Sequence, residues 1–190
     1  MRLFVAADLP DAAHEAVAAA QQRIAASLSG AAGVLKWVRP EHSHLTLVFI
    51  GEVADERVPG VVHTVGREVA GKPFEITLES FGVFPPRGAP RVLWIGVGAG
   101  TAPLADLQRE IAQRIAALGV PLEDRPFHPH LTLARWRVSR PSDRDRALKA
   151  SPRGVIARAI VGGATLYQSR LSSSGPSYTA LARAALRPID

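Results

Sequence analysis

Short apolar runs and helical stripes follow one another along the chain, and their order predicts a mixed fold. Residues 2–6, RLFVA, read as a strand. Asp8 and Pro10 then open a helix that runs to about Leu28, with Val17, Ile24 and Leu28 on one stripe. Residues 44–51, HLTLVFIG, have the Thr, Val, Phe and Ile content of a strand. A helix over 58–69 turns Val61, Val62, Val65 and Val69 inward. FEITLES (74–80) alternates with period two, and RVLWIGV (91–97) is a further strand. The Pro/Gly-rich PPRGAPR between them is a turn. Leu104, Leu107, Ile111, Ile115 and Leu118 make an amphipathic helix that Gly119 stops. HLTLAR (130–135) is a strand, and 155–169 and 177–186 read as closing strands, the last also compatible with a helix. The order β-α-β-α-β-β-α-β-β-β lacks strict βαβ alternation. It predicts an α+β fold with mostly antiparallel sheets.

One pattern is written twice. HSHLTL at 42–47 recurs as HPHLTL at 128–133, with the second histidines 86 residues apart (130 minus 44). Packing alone gives no reason for the repeat, which predicts two pseudo-symmetric halves, each offering one motif strand to a central cleft. Side chains alternate faces along a strand. His44 and Thr46 therefore share one face, as do His130 and Thr132, while Leu45, Leu47, Leu131 and Leu133 anchor the other. Two facing copies bring two imidazoles and two hydroxyls together. Phosphodiester cleavage needs such a set. A neutral imidazole takes a proton from water, an imidazolium protonates the leaving oxygen, and hydroxyls bond the non-bridging oxygens. His-x-His on a strand is also a zinc-ligand pattern, but Pro129 interrupts the second copy. His42 and His128 then flank the active histidines or are merely exposed, and His14 and His63 fall on outer helix faces as solvated residues.

Composition narrows the classes. The chain has 190 residues, 47% hydrophobic and 21% charged, as expected of a globular chain forming one domain over 1–190. Cysteine is absent, which excludes disulfides, thiol nucleophiles and Cys-ligated metals. The first apolar run ends at Asp8, too short for a signal peptide, and no later run approaches a membrane span. A cytoplasmic location and no membrane partner are expected. The net charge of +6 suits an anionic partner, although an Arg-rich, Ala-rich composition also produces it. Residues 137–154 carry six basic and two acidic side chains and read as a solvated loop close behind the second motif. Arg144 and Arg146 there, with Arg87 and Arg91 of the Pro/Gly turn, are candidate RNA contacts. GVGAG (96–100) lacks both G-x-G-x-x-G spacing and a Walker lysine, and reads as a strand-to-helix turn.

RLFVAADLP, WVRPEHSHLTLVFIGEV, GVFPPRGAPRVLWIGV, RPFHPHLTLAR and LYQSRLSSSGPSYTAL run nearly end to end. Together they resemble the bacterial and archaeal RNA 2',3'-cyclic phosphodiesterases, also called 2'-5' RNA ligases, of the two-histidine phosphoesterase superfamily. The resemblance implies a bilobal α+β domain, with outer helices and a central cleft. It implies hydrolysis of a 2',3'-cyclic phosphate at an RNA 3' end, with the 3'-oxygen leaving and a 2'-phosphate remaining. The motif residues map to His44, Thr46, His130 and Thr132, and the family's phosphate-binding arginine maps to Arg135. Strict alternation turns position 135 away from His130 unless the strand ends or bulges there. His42 stands where many relatives carry Asn or another residue. The expected enzyme uses no metal or cofactor and acts as a monomer without an obligate protein partner. Its rivals are 2'-5' ligation at the same site, a non-catalytic RNA-end-binding protein, and a metal-dependent hydrolase.

Overall fold

The computed structural model describes residues 1–28, 35–122, 126–172 and 175–188. Among them, ten strands form two five-stranded sheets, joined by four α-helices. The chain runs β1 (Arg2–Ala7), α1 (Asp11–Leu28), β2 (Leu35–Trp37), β3 (Leu45–Glu52), α2 (Val58–Val65), β4 (Val69–Ala70) and β5 (Phe74–Phe84). It continues through β6 (Val92–Val97), α3 (Thr101–Ala116), β7 (His130–Trp136) and α4 (Pro141–Ala150). It closes with β8 (Val155–Val161), β9 (Gly163–Ser172) and β10 (Gly175–Arg187). The strand order is β3-β1-β9-β10-β4 in the first sheet and β2-β7-β6-β5-β8 in the second. All pairings are antiparallel except the short parallel pair of β4 with β10. The expected α+β architecture of two antiparallel-rich sheets with outer helices is what the chain forms.

Each sheet is apolar on its helix-covered face. The α2 and α3 helices pack together beside the first sheet, and α1 and α4 pack together beside the second. Leu104, Ile111 and Ile115 of α3 are fully buried, as their helical stripe predicts. The motif leucines behave as anchors: Leu45, Leu47, Leu131 and Leu133 are all buried. Each such side chain contributes about 1.5–3 kcal/mol of burial energy, which fixes the register of the residues between them.

Several elements differ from the sequence reading. Residues 155–169 are two strands in different sheets, because the chain crosses over at Gly162 and Gly163. Gly163 has φ +155°, and a Cβ there would sit 2.1 Å from the Ala184 carbonyl oxygen, so the crossing needs glycine. Residues 177–186 form strand, paired along most of β9. The helix over 58–69 stops at Val65, and Val69 pairs with Leu186 instead. Part of the basic stretch at 137–154 is α4, started by Pro141 and by the Arg140 N–H donating to Asp143 Oδ2 at 2.7 Å.

Candidate active site

The two motif strands carry the same irregularity. Along β1 and β3, Ala6 faces Thr46 but Val5 faces Val48, so Leu47 is an extra residue. Along β6 and β7, Trp94 faces Thr132 but Leu93 faces Ala134, so Leu133 is extra. A bulge of this kind reverses the face taken by every later side chain. Leu47 and Val48 are therefore buried in succession, as are Leu133 and Ala134. The next residues, Phe49 and Arg135, turn onto the face that holds the histidines and threonines. Arg135 thus reaches the cleft, where strict alternation would have hidden it.

The second bulge has its own support. Gln21, buried on α1, donates from Nε2 to the carbonyls of Val38 (2.9 Å) and Leu133 (3.0 Å). The Leu133 carbonyl also accepts the Val38 N–H at 2.8 Å. The sequence signal was present, since Gln21 interrupts the apolar stripe of Val17, Ile24 and Leu28. A glutamine at such a position has a buried partner to find.

Each motif imidazole is tied to its own backbone. His44 Nδ1 lies 2.9 Å from the His42 carbonyl oxygen, and His130 Nδ1 lies 2.7 Å from that of His128. A carbonyl can only accept, so both Nδ1 atoms carry hydrogen. Both Nε2 atoms are left to take or give a proton on the cleft side. The flanking histidines serve through their carbonyls. Their rings pack elsewhere, His42 edge-on to Tyr178 and His128 edge-on to Phe84 and Trp94. Among the described residues no group of three or more His, Cys, Asp or Glu is placed to hold a metal ion. His14 departs from its expected solvated role: its Nε2 lies 3.2 Å from the Ser43 carbonyl oxygen. His63 is exposed, as expected.

The two imidazoles differ in their surroundings. His44 stacks on Phe4, with centroids 4.7 Å apart, and meets the edge of Tyr178 at 5.2 Å. His130 meets Phe84 at 5.0 Å, edge to face. Burial is the main influence on both and pushes both below the ordinary histidine range. The carbonyl bond opposes burial in each case. The neighbouring charges then diverge. Asp8 favours the proton on His44 while His42 disfavours it, and both His128 and Arg135 disfavour it on His130. Asp8 is held in place by Thr165 Oγ1 (2.6 Å) and Tyr167 Oη (2.5 Å).

All four motif side chains open into one cavity of about 730 Å³. Among the described residues its wall includes Arg2, Lys36, Arg39 and Arg135 and no carboxylate. Lys36 stands directly opposite Arg135 across the β2–β7 pair. Like charges so placed repel each other, and an anion between them relieves the repulsion. The sequence reading did not single out Arg2 at the head of β1, Lys36 on β2 or Arg39 just beyond it, and β2, only three residues long, shows no period. Arg87, Arg91, Arg144 and Arg146 do not line this cavity. Arg87 and Arg91 lie in the turn after Phe84, and Arg144 and Arg146 lie on α4, not in a loop. No described helix is long and apolar enough to cross a membrane.

Comparison with known proteins gives this geometry a family. A model of the 2'-5' RNA ligase superfamily matches residues 9–170. The RNA 2',3'-cyclic phosphodiesterase of Archaeoglobus fulgidus is 38% identical over 178 residues, covering 94% of this chain and 96% of that one. The RNA 2',3'-cyclic phosphodiesterase of Thermus thermophilus is 34% identical and covers 98% and 91%. Among solved structures, TT0787 of Thermus thermophilus matches with a TM-score of 0.77 at 32% identity, covering 99% of both chains. E. coli LigT complexed with 3'-AMP gives a TM-score of 0.75 at 31% identity, covering 97% of both. Two matching histidine–threonine strands around one cationic cleft, in a chain matched over most of its length, belong to a member of the 2'-5' RNA ligase superfamily.

Proposed function

We propose that the chain is an RNA 2',3'-cyclic phosphodiesterase that leaves a 2'-phosphate without using a metal ion. One observation carries the reading. Two imidazoles with hydrogen fixed on Nδ1 present Nε2 to a shared cavity walled by cations and free of carboxylates among the described residues. Binding alone needs the cations but not the pair of proton carriers, so a purely RNA-end-binding role leaves the histidines unexplained. The relatives named above share this activity in their names and span nearly the whole chain.

The chemistry follows from the charges. His130, favoured in its neutral form by burial and by the nearby charges of His128 and Arg135, takes a proton from water at Nε2. The water oxygen bonds to phosphorus as the bond to the 3'-oxygen breaks. His44, helped by Asp8 to keep its proton, delivers it from Nε2 to that oxygen. In-line displacement needs acid and base on opposite sides of phosphorus, and the two sheets supply one each. Thr46 and Thr132 donate hydrogen bonds to the non-bridging oxygens, and Arg135 binds their charge. Ligation to a 5'-hydroxyl is the same displacement with that hydroxyl in the place of water, and it leaves a 2'-5' linkage. Arg87, Arg91, Arg144 and Arg146 lie outside the cavity wall, where they meet only longer RNA.

The test is incubation of an RNA ending in 2',3'-cyclic phosphate with the protein in excess EDTA, followed by product mapping. The expected product is a 2'-phosphate, resistant to a 3'-specific phosphatase. Activity lost on chelation and restored by zinc would overturn the metal-independent mechanism. A 3'-phosphate product would exchange the two histidine roles.

A further inference from the structure

The wall of the cavity carries more positive charge than a cyclic phosphate can use. A 2',3'-cyclic phosphate is a diester with a single negative charge, and Arg135, on the strand of His130 and Thr132, is enough to meet it. Lys36 and Arg39 form a second row. They lie on β2 and just beyond it, outside β7 at the edge of the second sheet. Lys36 pairs across to Arg135, and the Val38 N–H donates to the Leu133 carbonyl at 2.8 Å, which carries Arg39 toward the level of Thr132. Both residues are exposed, and both line the cavity. Cations elsewhere on the surface are matched: Arg114 by Glu110, Arg158 by Glu75 and Arg187 by Glu68. Among the described residues Lys36 and Arg39 form no such pair, and no carboxylate shares their wall. Arg2, also in that wall, is turned over the Phe49 ring, 5.1 Å from its centroid.

Unmatched cations in a row suit an anion with more than one charge. An RNA chain supplies its second charge at a fixed place, the phosphodiester on the 5'-oxygen of the terminal ribose. A cavity of about 730 Å³ is far larger than the cyclic phosphate alone and leaves room for that group. Resting on the phosphodiesterase reading, we infer that Lys36 and Arg39 form a subsite for the phosphodiester that joins the terminal nucleotide to the one before it. The enzyme therefore takes RNA chain ends in preference to free nucleoside 2',3'-cyclic phosphates. The subsite reads charge and not sequence, since a phosphate carries no base information. It also sets direction. A ribose whose cyclic phosphate lies at Arg135 and whose 5'-phosphate lies at the sheet edge is held from both sides and cannot turn over between the histidines.

The test removes one charge from the substrate without changing its shape. Two dinucleotides ending in 2',3'-cyclic phosphate are made with a 2'-deoxy upstream sugar, one with a native phosphodiester linkage and one with a neutral methylphosphonate. Adenosine 2',3'-cyclic phosphate is assayed beside them. The full-length wild type should turn over the native dinucleotide with a kcat/KM about 3- to 25-fold above the methylphosphonate, since two solvent-screened contacts are each worth up to about fivefold. The ratio should shrink as salt is added. In the double variant Lys36→Met, Arg39→Met it should collapse toward one, and Lys36→Arg alone should keep it. Both residues are exposed, so these variants do not threaten the fold. A wild type that turns over the two dinucleotides equally overturns the inference. So does a double variant that slows all three substrates by the same factor, because the cations would then serve the cyclic phosphate itself. Turnover of no substrate by the wild type would instead count against the phosphodiesterase reading. Calorimetric titration with the two dinucleotide 2'-phosphates, native and methylphosphonate, would still decide the subsite.

Discussion

The His44 half and the His130 half of the cleft are built by the same backbone moves and equipped differently. In each, a strand bulges just after its threonine, and a carbonyl two residues back holds the histidine Nδ1. Around His44 the neighbours are a face-on phenylalanine and the Asp8 carboxylate. Around His130 they are an edge-on phenylalanine and the Arg135 guanidinium. Geometry is thus set by strand register, which duplicates easily, while the surroundings of each imidazole are set by the side chains placed around it, which differ between the halves.

Removing either imidazole breaks the comparison most severely. His44→Ala and His130→Ala should each lower kcat by about 10²–10⁴-fold on a cyclic-phosphate RNA end. The double variant should be little worse than the poorer single one, since the two act on one step. Circular dichroism should show an intact fold, and near-wild-type turnover in either variant would refute the assignment. Arg135→Met should cost about 10- to 100-fold, the worth of a charge-assisted hydrogen bond of roughly 1.5–3 kcal/mol. A loss confined to KM with every substrate would mean that Arg135 only attracts anions.

The pH profile sharpens the comparison. The rate should be bell-shaped, with limbs that belong to the coupled pair. Asp8 raises the pKa of His44, so Asp8→Asn lowers it and moves the alkaline limb to lower pH. Arg135 lowers the pKa of His130, so Arg135→Met raises it and moves the acidic limb to higher pH. The two variants should narrow the bell from opposite sides. Movement of the same limb in both would show that the two histidines do not divide the roles in this way.

Much of this was legible in the chain because period two is easy to read. His44, Thr46, His130 and Thr132 share a face with nothing between them but anchoring leucines. Arg135 needed the bulge at Leu133, and a bulge leaves no mark in hydrophobic alternation, since Leu133 and Ala134 merely look like two more apolar residues. The α4 helix was hidden for another reason. It buries only Asp143 and Ala147, so it has no stripe, and its signals were Pro141 and the acidic residue that caps Arg140. Strands of three and two residues, β2 and β4, are too short to show a period at all.

The smallest expected effect tests the bulge from behind. Gln21→Leu deprives the Val38 carbonyl of its side-chain donor and should cost about 1–3 kcal/mol of stability, read as a lower unfolding midpoint. The Leu133 carbonyl keeps the Val38 N–H, so the strand pairing should survive. If turnover falls in step with Arg135→Met, the glutamine also holds the arginine in register.

The carbonyl tethers have a consequence for how such a site changes over generations. A contact made by main chain belongs to no particular amino acid, so nearly any residue at 42 or 128 can supply it. The identities at those positions are free to drift while the imidazoles they steer stay oriented. The histidines now found there make the repeat look like a run of four functional rings. On the proposed mechanism it is a pair of working rings, each followed through time by an interchangeable neighbour.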